Sequence, residues 1–336
     1  MIGMTGLGVY LPKGRMTAEE IATRANIPKA VVEAKMGIIE KVVAGPTDHP
    51  VEMSIKAARN AISEARIDAK EIDVVIYIGE EHKEYPLWTA AIKIQEEVGA
   101  VNAWAFDVQL RCGTAIMAMK VAKSLMQADE SIRTVLLAGG YRNHDFIDYQ
   151  NERTRFMFNL GAGAGAMVLQ KNAGGHEVLE TELITDGSFS EDVVVPVGGT
   201  REPLTPEHLQ QGKYMLDVLD PEGMKLRLEQ KSLENFLKVI RRSLEKSGYN
   251  ERDLSYVAML HMKKSAHDYV LGELGLTEDH SIYLSHYGHI GQIDQILSLY
   301  LAREAGMLQQ GNIVSLVSAG IGYAWGAITV KWEASI

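Results

Sequence analysis

Cys112 is the only cysteine in 336 residues. It stands in Asp107-Val108-Gln109-Leu110-Arg111-Cys112-Gly113-Thr114-Ala115, after the apolar stretch Trp104 to Val108 and before small and apolar residues that recur at helical spacing as far as Met126. That order predicts a strand that turns into a helix at the cysteine. At such a junction the free N–H groups of the first turn and the positive end of the helix dipole favour a thiolate. Arg111 would add to the effect if its charge points inward. Burial as a small core residue is the competing expectation for a lone cysteine. His261 follows the apolar run Ser255 to Leu260, and His289 closes Ser285-His286-Tyr287-Gly288-His289 after the run Ser281 to Leu284. A histidine within reach of a cysteine acts as its base or forms an ion pair with the thiolate. Cys112, His261 and His289 thus all fall at the ends of predicted strands, where active sites of open α/β sheets gather. Glu80 and Glu81 crowd the loop after Ile72 to Gly79. A carboxylate near a thiolate is a candidate general base with a raised pKa, whereas an exposed acidic loop is simply solvated.

The elements that must position these groups alternate along the chain. Strands are predicted over Ile2–Tyr10, Ile72–Gly79, Ser131–Gly140, Gly161–Leu169, Gly174–Thr185, Ser255–Leu260 and Ser281–Leu284, and two more over Asn312–Ser318 and Ala324–Trp332. Met36 to Val43 reads as extended. Helices are predicted from Thr17, from Ile27-Pro28 to Lys35, and over Pro50–Ala65, Trp88–Val98, Pro221–Gly248, Ala266–Leu274 and Gln292–Ala305, so the chain is α/β throughout. Asp186 to Asp220 is long for a loop and is expected to line a site or a partner subunit. The glycines of Gly161-Ala162-Gly163-Ala164-Gly165 precede a strand, not a helix, which argues against a dinucleotide cradle. His286 and His289 have a spacing two metal ligands could use, but no carboxylates cluster beside them in sequence, and no metal site is expected.

A formal charge of −10 disfavours nucleic acid and anionic membranes as partners. No apolar run reaches the roughly eighteen residues of a membrane span, and Met1-Ile2-Gly3-Met4 lacks a signal-peptide pattern, so a cytoplasmic protein is expected. With 46% hydrophobic residues the chain can bury a large core, as two domains or one doubled unit.

Taken together, Gly6-Leu7-Gly8-Val9-Tyr10-Leu11-Pro12, Met36-Gly37-Ile38, Cys112 at a helix start, Gly163-Ala164-Gly165-Ala166, His261 after a strand and Gly320-Ile321-Gly322-Tyr323-Ala324-Trp325-Gly326-Ala327 resemble the ketoacyl-acyl carrier protein synthase III family of the thiolase superfamily. The resemblance implies a five-layer thiolase-like fold of two related βαβαβαββ halves, placed here at 1–172, carrying the cysteine, and 173–336, carrying the histidines. It implies a homodimer, no bound cofactor, and coenzyme A or acyl carrier protein thioesters as substrates. Cys112 would take an acyl group from acyl-CoA and condense it with a malonyl thioester, with loss of carbon dioxide. His261 would be one donor to the enolate, and the backbone N–H groups of Cys112 and Ile321 would hold the thioester oxygen.

Some positions depart from the family. Where it usually has His-Gly-Asn, this chain has Tyr287-Gly288-His289, giving a Cys-His-His set like that of elongating ketoacyl synthases. Ile321 replaces the middle glycine of the terminal turn. No aromatic residue near Val31 matches the one that meets the coenzyme adenine, and Lys35, Arg153 and Arg155 are the candidates for the coenzyme contact. Lys238, Arg241 and Arg242 offer a local basic face to an acidic carrier, or only a solvated helix surface. Ile78-Gly79-Glu80-Glu81-His82 also resembles hydroxymethylglutaryl-CoA synthase, in which a glutamate would serve an aldol-type addition. Acyl transfer to an alcohol or amine, and a non-catalytic partner subunit, complete the alternatives.

Overall fold

The computed structural model describes residues 1–333. Nine strands make its main sheet: β1 (Ile2–Tyr10), β2 (Val74–Tyr77), β3 (Trp104–Asp107), β4 (Thr134–Tyr141), β5 (Gly163–Lys171), β6 (His176–Thr185), β7 (Leu254–Met259), β8 (Ile313–Gly320) and β9 (Ala324–Lys331). Their spatial order is β7-β8-β9-β6-β1-β5-β4-β2-β3. Read outward from the centre, each strand series runs first, last, last but one, then second, so the two series wind alike. They are joined through only two residue pairs, Gly3 with Glu177 and Met4 with His176. The parallel pairs β2–β3, β2–β4 and β7–β8 need crossover helices, and the rest are antiparallel.

The helices that cover the sheet are α1 (Pro50–Ala65), α2 (Ala90–Val98), α3 (Thr114–Ala128), α4 (Pro221–Lys246), α5 (Lys264–Glu273) and α6 (Asp294–Glu304). The burial pattern shows how they stack. Along β2, Val74 and Ile76 face one core while Val75 and Tyr77 face another, and along β7 Tyr256 and Ala258 part from Val257 and Met259 in the same way. One core receives α3 and α6 and is shared by both strand series; the second receives α1 and α2, the third α4 and α5. Strands covered on both faces explain the near-continuous apolar runs. Three helical layers separated by two sheet layers give the five-layer thiolase-like arrangement.

α1 lies unusually close to the sheet, and the glycines of β1 are the reason. A β-carbon at Gly8 would stand 2.0 Å from the Ala57 carbonyl oxygen, and one at Gly6 2.2 Å from that of Ala61. Ala57, Ala58 and Ala61 supply the matching small face.

Three expectations about elements need correction. Ser281–Leu284 is not a strand: the Ile282 N–H donates to the Tyr256 hydroxyl and the Ser281 hydroxyl to the Val257 carbonyl, so side-chain bonds replace a ladder. Of the extended stretch from Met36, only Glu40–Val43 pairs, with Gly14–Thr17. The long 186–220 connection holds a short helix, Pro206–Gln210, and a ladder of Val193–Val194 with Asp217–Val218.

Gly8→Ala forces α1 away from β1 and is expected to lower the unfolding free energy by about 2 kcal/mol or more, read from urea denaturation midpoints.

Candidate active site

Cys112 sits on a tight turn, Arg111–Gly113, between β3 and α3. Asp107 at the end of β3 accepts from the Ala90 and Ala91 N–H groups and from Lys83, which anchors the strand end to the start of α2. Arg111 then takes a left-handed conformation (φ 50°), uncommon for a residue with a side chain, and the chain reverses into the helix. Thr114 holds the turn by accepting from the Leu110 N–H at 2.7 Å and donating to the Arg111 carbonyl at 2.6 Å. The Arg111 charge is held by two carboxylates and still lies within electrostatic reach of Cys112. Its guanidinium bridges Glu80 at 3.0 Å and Glu81 at 3.3 Å.

Cys112 is 5% exposed, and its sulfur faces Nε2 of His289 at 3.0 Å. Nδ1 of the same ring meets Oδ2 of Asp294 at 2.5 Å. Asp294 opens α6 and is fully buried, and it also accepts from the backbone N–H groups of His261 and Ile290, both at 2.7 Å. Burial alone would push the His289 pKa down. The Cys112 sulfur and the Asp294 carboxylate override it and hold His289 well above the usual histidine range. A thiolate beside an imidazolium is the arrangement that makes a cysteine nucleophilic.

His261 lies in the opposite electrostatic state. Burial pushes its pKa down to about 4. Nε2 lies 3.2 Å from the Gly37 carbonyl, which only accepts, so that nitrogen carries the proton, and Nδ1 accepts from the Asn159 side-chain amide at 2.9 Å. The ring is neutral, with both nitrogens engaged.

A cavity of about 820 Å3 brings the expected groups together: Cys112, His261, His289 and Ile321 line it, as do Lys35, Arg153 and Arg155. Gly320 packs its α-carbon onto the nucleophile turn, where a β-carbon would lie 3.1 Å from the Cys112 nitrogen, and so brings the Ile321 backbone beside that turn. Arg153 is paired with Asp217 at 2.5 Å. Glu80 and Glu81 are not among the lining residues. Burial raises the Glu80 pKa against the opposing Arg111 charge, but its carboxylate is tied to that guanidinium; Glu81 is mostly exposed. His286 turns outward toward Glu40, 3.8 Å away, and does not join His289. Arg241 and Arg242 are spent on Glu251 and Glu182, so the basic face of α4 is largely neutralised.

Asp294 and Asn159 were not picked out from sequence. Asp294 follows His289 by five residues and reads only as an acidic helix start, and Asn159 belongs to a polar loop more than a hundred residues from His261.

Family models match in both halves of the chain: 3-oxoacyl-[acyl-carrier-protein] synthase III over residues 106–187, and its C-terminal counterpart over 244–332. The chain belongs to this family. The synthase III fold extends beyond the matched segments. The beta-ketoacyl-[acyl-carrier-protein] synthase III of Roseiflexus castenholzii is 27% identical over 332 residues, 98% of each chain. The crystal structure of the Aquifex aeolicus VF5 synthase III superposes with a TM-score of 0.85 at 21% identity, covering 99% of this chain and 100% of that one. The priming β-ketosynthase of the R1128 polyketide pathway gives 0.85 at 20% identity, covering 100% and 97%. As a synthase III relative, the protein is an acyltransferase of the condensing-enzyme type. Among the described residues, no helix is long and apolar enough to cross a membrane.

Two measurements probe these charge states. Since His261 is neutral in the fold and ordinary when unfolded, it disfavours folding as pH falls: its contribution is complete above about 6.5 and is lost down to about 4, amounting to about 3 kcal/mol. His261→Asn should remove that part of the acid destabilisation in urea titrations at pH 7, 5.5 and 4.5. Separately, Asp294→Asn withdraws the charge behind His289, and Cys112 alkylation by iodoacetamide at pH 6 should slow by about tenfold. An unchanged rate would show that Asp294 does not support the cation.

Proposed function

We propose that Cys112 is an acyl-accepting nucleophile and that the acyl group is condensed with a malonyl thioester, with loss of carbon dioxide. The observation that carries this is the Cys112–His289 contact at 3.0 Å in a cavity also lined by His261, in a chain of the synthase III family. The Cys112 thiolate attacks the thioester carbonyl of an acyl-CoA or acyl carrier protein. The carbon–sulfur bond to the carrier breaks, and the departing sulfur takes the proton from His289. The oxygen that gains charge meets the backbone N–H groups of Cys112 and Ile321. The carboxylate of a malonyl thioester then leaves as carbon dioxide, and its bonding pair becomes an enolate held by N–H donors of His261 and of His289 once it has regained a proton from solvent. The enolate carbon attacks the acyl carbonyl and expels Cys112 as thiolate. For His261 to donate, its N–H must exchange the Gly37 carbonyl for the substrate.

Lys35, Arg153 and Arg155, which line the cavity, would meet the phosphates of coenzyme A. No metal or bound cofactor has a part in these steps. The cavity takes Cys112 from the half 1–172 and His261, His289 and Ile321 from the half 173–336. A homodimer is supported by β3, an edge strand with Trp104 half exposed and Tyr85, Leu87 and Ile92 exposed near it. A second copy would cover that edge.

A second reading is favoured by one observation, the Asp294 carboxylate on Nδ1 of His289. After the first half-reaction a neutral His289 would keep its proton on Nδ1 and present a lone pair at Nε2. That lone pair suits a base that deprotonates an incoming hydroxyl or amine, so the acyl group would pass to oxygen or nitrogen without loss of carbon dioxide. The aldol reading lacks comparable support, since Glu80 and Glu81 are bound to Arg111 outside the cavity lining.

Intact mass after incubation with a panel of acyl-CoA thioesters is expected to show one acyl adduct, absent in Cys112→Ala. Malonyl thioester labelled in its carboxylate should then release labelled carbon dioxide, and His289→Ala should reduce the release at least about a hundredfold. Transfer of the acyl group to added alcohols or amines, with no carbon dioxide, would establish the second reading instead.

A further inference from the structure

Lys41 is fully buried in the strand Glu40–Val43, yet no carboxylate forms an ion pair with it among the described residues. Its ammonium instead donates to two backbone carbonyls, Phe158 at 2.8 Å and Leu160 at 2.7 Å. The residue between those carbonyls is Asn159. Through its side chain Asn159 donates to Nδ1 of His261, and through its carbonyl it accepts from the His289 N–H at 2.8 Å. The Gly161 N–H returns a bond to the His289 carbonyl at 2.8 Å. The loop 158–161 therefore touches both histidines, as Asp294 also does, and Lys41 holds it at two points. The fit leaves no slack: Gly288, at φ 73°, could not carry a β-carbon, which would lie 2.5 Å from the Asn159 carbonyl oxygen and 2.8 Å from the Lys41 β-carbon.

We propose that Lys41 is a positioning residue of the active site, whose ammonium clamps the Phe158–Leu160 loop and thereby sets the placement of both His261 and His289. The proposal rests on the part assigned to those histidines above. Two carbonyls at hydrogen-bond distance from one cation are charge-assisted bonds, about twice as strong as neutral ones. Losing the donor leaves both carbonyls buried and unsatisfied, so the loop must shift to find new partners. The groups facing Lys41 are Tyr149, whose ring centre lies 5.3 Å from the ammonium, Arg24, 5.8 Å from the same ring centre, and His144, whose own pKa feels the Lys41 charge. Burial, with a smaller push from Arg24, brings the Lys41 pKa down to about 7. The clamp is thus strongest below neutrality and weakens as the ammonium loses its proton.

The test needs no substrate, so it stands apart from the acylation experiment. Lys41→Met should slow iodoacetamide alkylation of Cys112 at pH 6 by about tenfold, because a displaced His289 no longer supports the thiolate. The imidazole nitrogen resonances of His261 and His289 should shift together, and Lys41→Arg, which keeps cation and donors, should restore both. In a cycle with Asn159→Ala, the effects on alkylation should be less than additive. In the unaltered protein, exchange of the His289 and Gly161 amides, corrected for intrinsic base catalysis, should accelerate with a midpoint near pH 7 relative to β-sheet amides, and Lys41→Arg should abolish that midpoint. A folded Lys41→Met with unchanged alkylation and histidine resonances overturns the proposal. If Lys41→Met does not fold, Lys41→Gln, which has no cation and a shorter reach, takes its place, and unchanged alkylation and histidine resonances there overturn the proposal as well.

Discussion

The carboxylate of Asp294 is buried where no water reaches it, and a buried charge persists only if its lone pairs are filled. Here they are filled by the His289 ring N–H and by the backbone N–H groups of His261 and Ile290. Those bonds come from just beyond β7 and from the turn that carries His289 and leads into α6. One charge therefore fixes the chain positions of both histidines relative to each other, and the state of one ring. Cys112 approaches this assembly from the other strand series, on a turn braced by Thr114 and seated beside Gly320. Its carbonyl accepts from the Ser318 hydroxyl at 2.7 Å, a bond that ties the nucleophile turn to β8. The site exists only because the two series pack face to face on a shared helical layer.

Much of this was legible in the sequence, for reasons that can be stated. Strands covered on both faces leave long apolar runs, and helices leave spacing and caps; the Thr17–Glu20 capping box is visible in both sequence and structure. The strand-to-helix junction at Cys112 and the placement of His261 beyond a strand followed from chain order in an α/β sheet, whereas His289 reaches the same cavity from a turn, without the strand expected before it. What was not legible depends on contacts distant in sequence. Ser281–Leu284 has the composition of a strand, but its N–H and hydroxyl groups find Tyr256 and Val257 instead of a ladder. The direction of Arg111 was undetermined until its φ and the two glutamates were known. Asn159 and Lys41 carry no local signature, since each acquires its part only when the loop 158–161 is pressed between the Glu40–Val43 strand and the His289 turn.

The substitution of histidine for the family's usual asparagine changes more than a side chain. An asparagine amide donates in any state, whereas a histidine donates from Nε2 only when that nitrogen is protonated. With Asp294 holding the Nδ1 proton, His289 has two available forms: a cation that donates from Nε2 and a neutral ring that accepts there. The first suits a developing enolate and the second an incoming hydroxyl or amine. Asp294 favours the cation by its charge while fixing the tautomer of the neutral form, so the same contact supports both proposed outcomes. Which form predominates once Cys112 is acylated depends on what replaces the thiolate charge, and a bound malonyl carboxylate would itself favour the cation.

The contrast between the two histidines gives this point its chemical weight. Within one cavity, burial drives His261 down to about 4, while the Cys112 sulfur and the Asp294 carboxylate hold His289 well above the usual histidine range, so the two rings part in proton affinity. Paired groups whose surroundings separate their proton affinities are how a site assigns distinct acid–base parts to identical side chains. His261, lacking a carboxylate on either nitrogen, is suited to a hydrogen bond and not to proton transfer. His289, between sulfur and carboxylate, is suited to giving a proton up and taking it back. The Glu80–Arg111–Glu81 cluster lies outside the cavity lining yet within electrostatic reach of the pair: the Glu80 charge is coupled to His289, and that of Arg111 to Cys112.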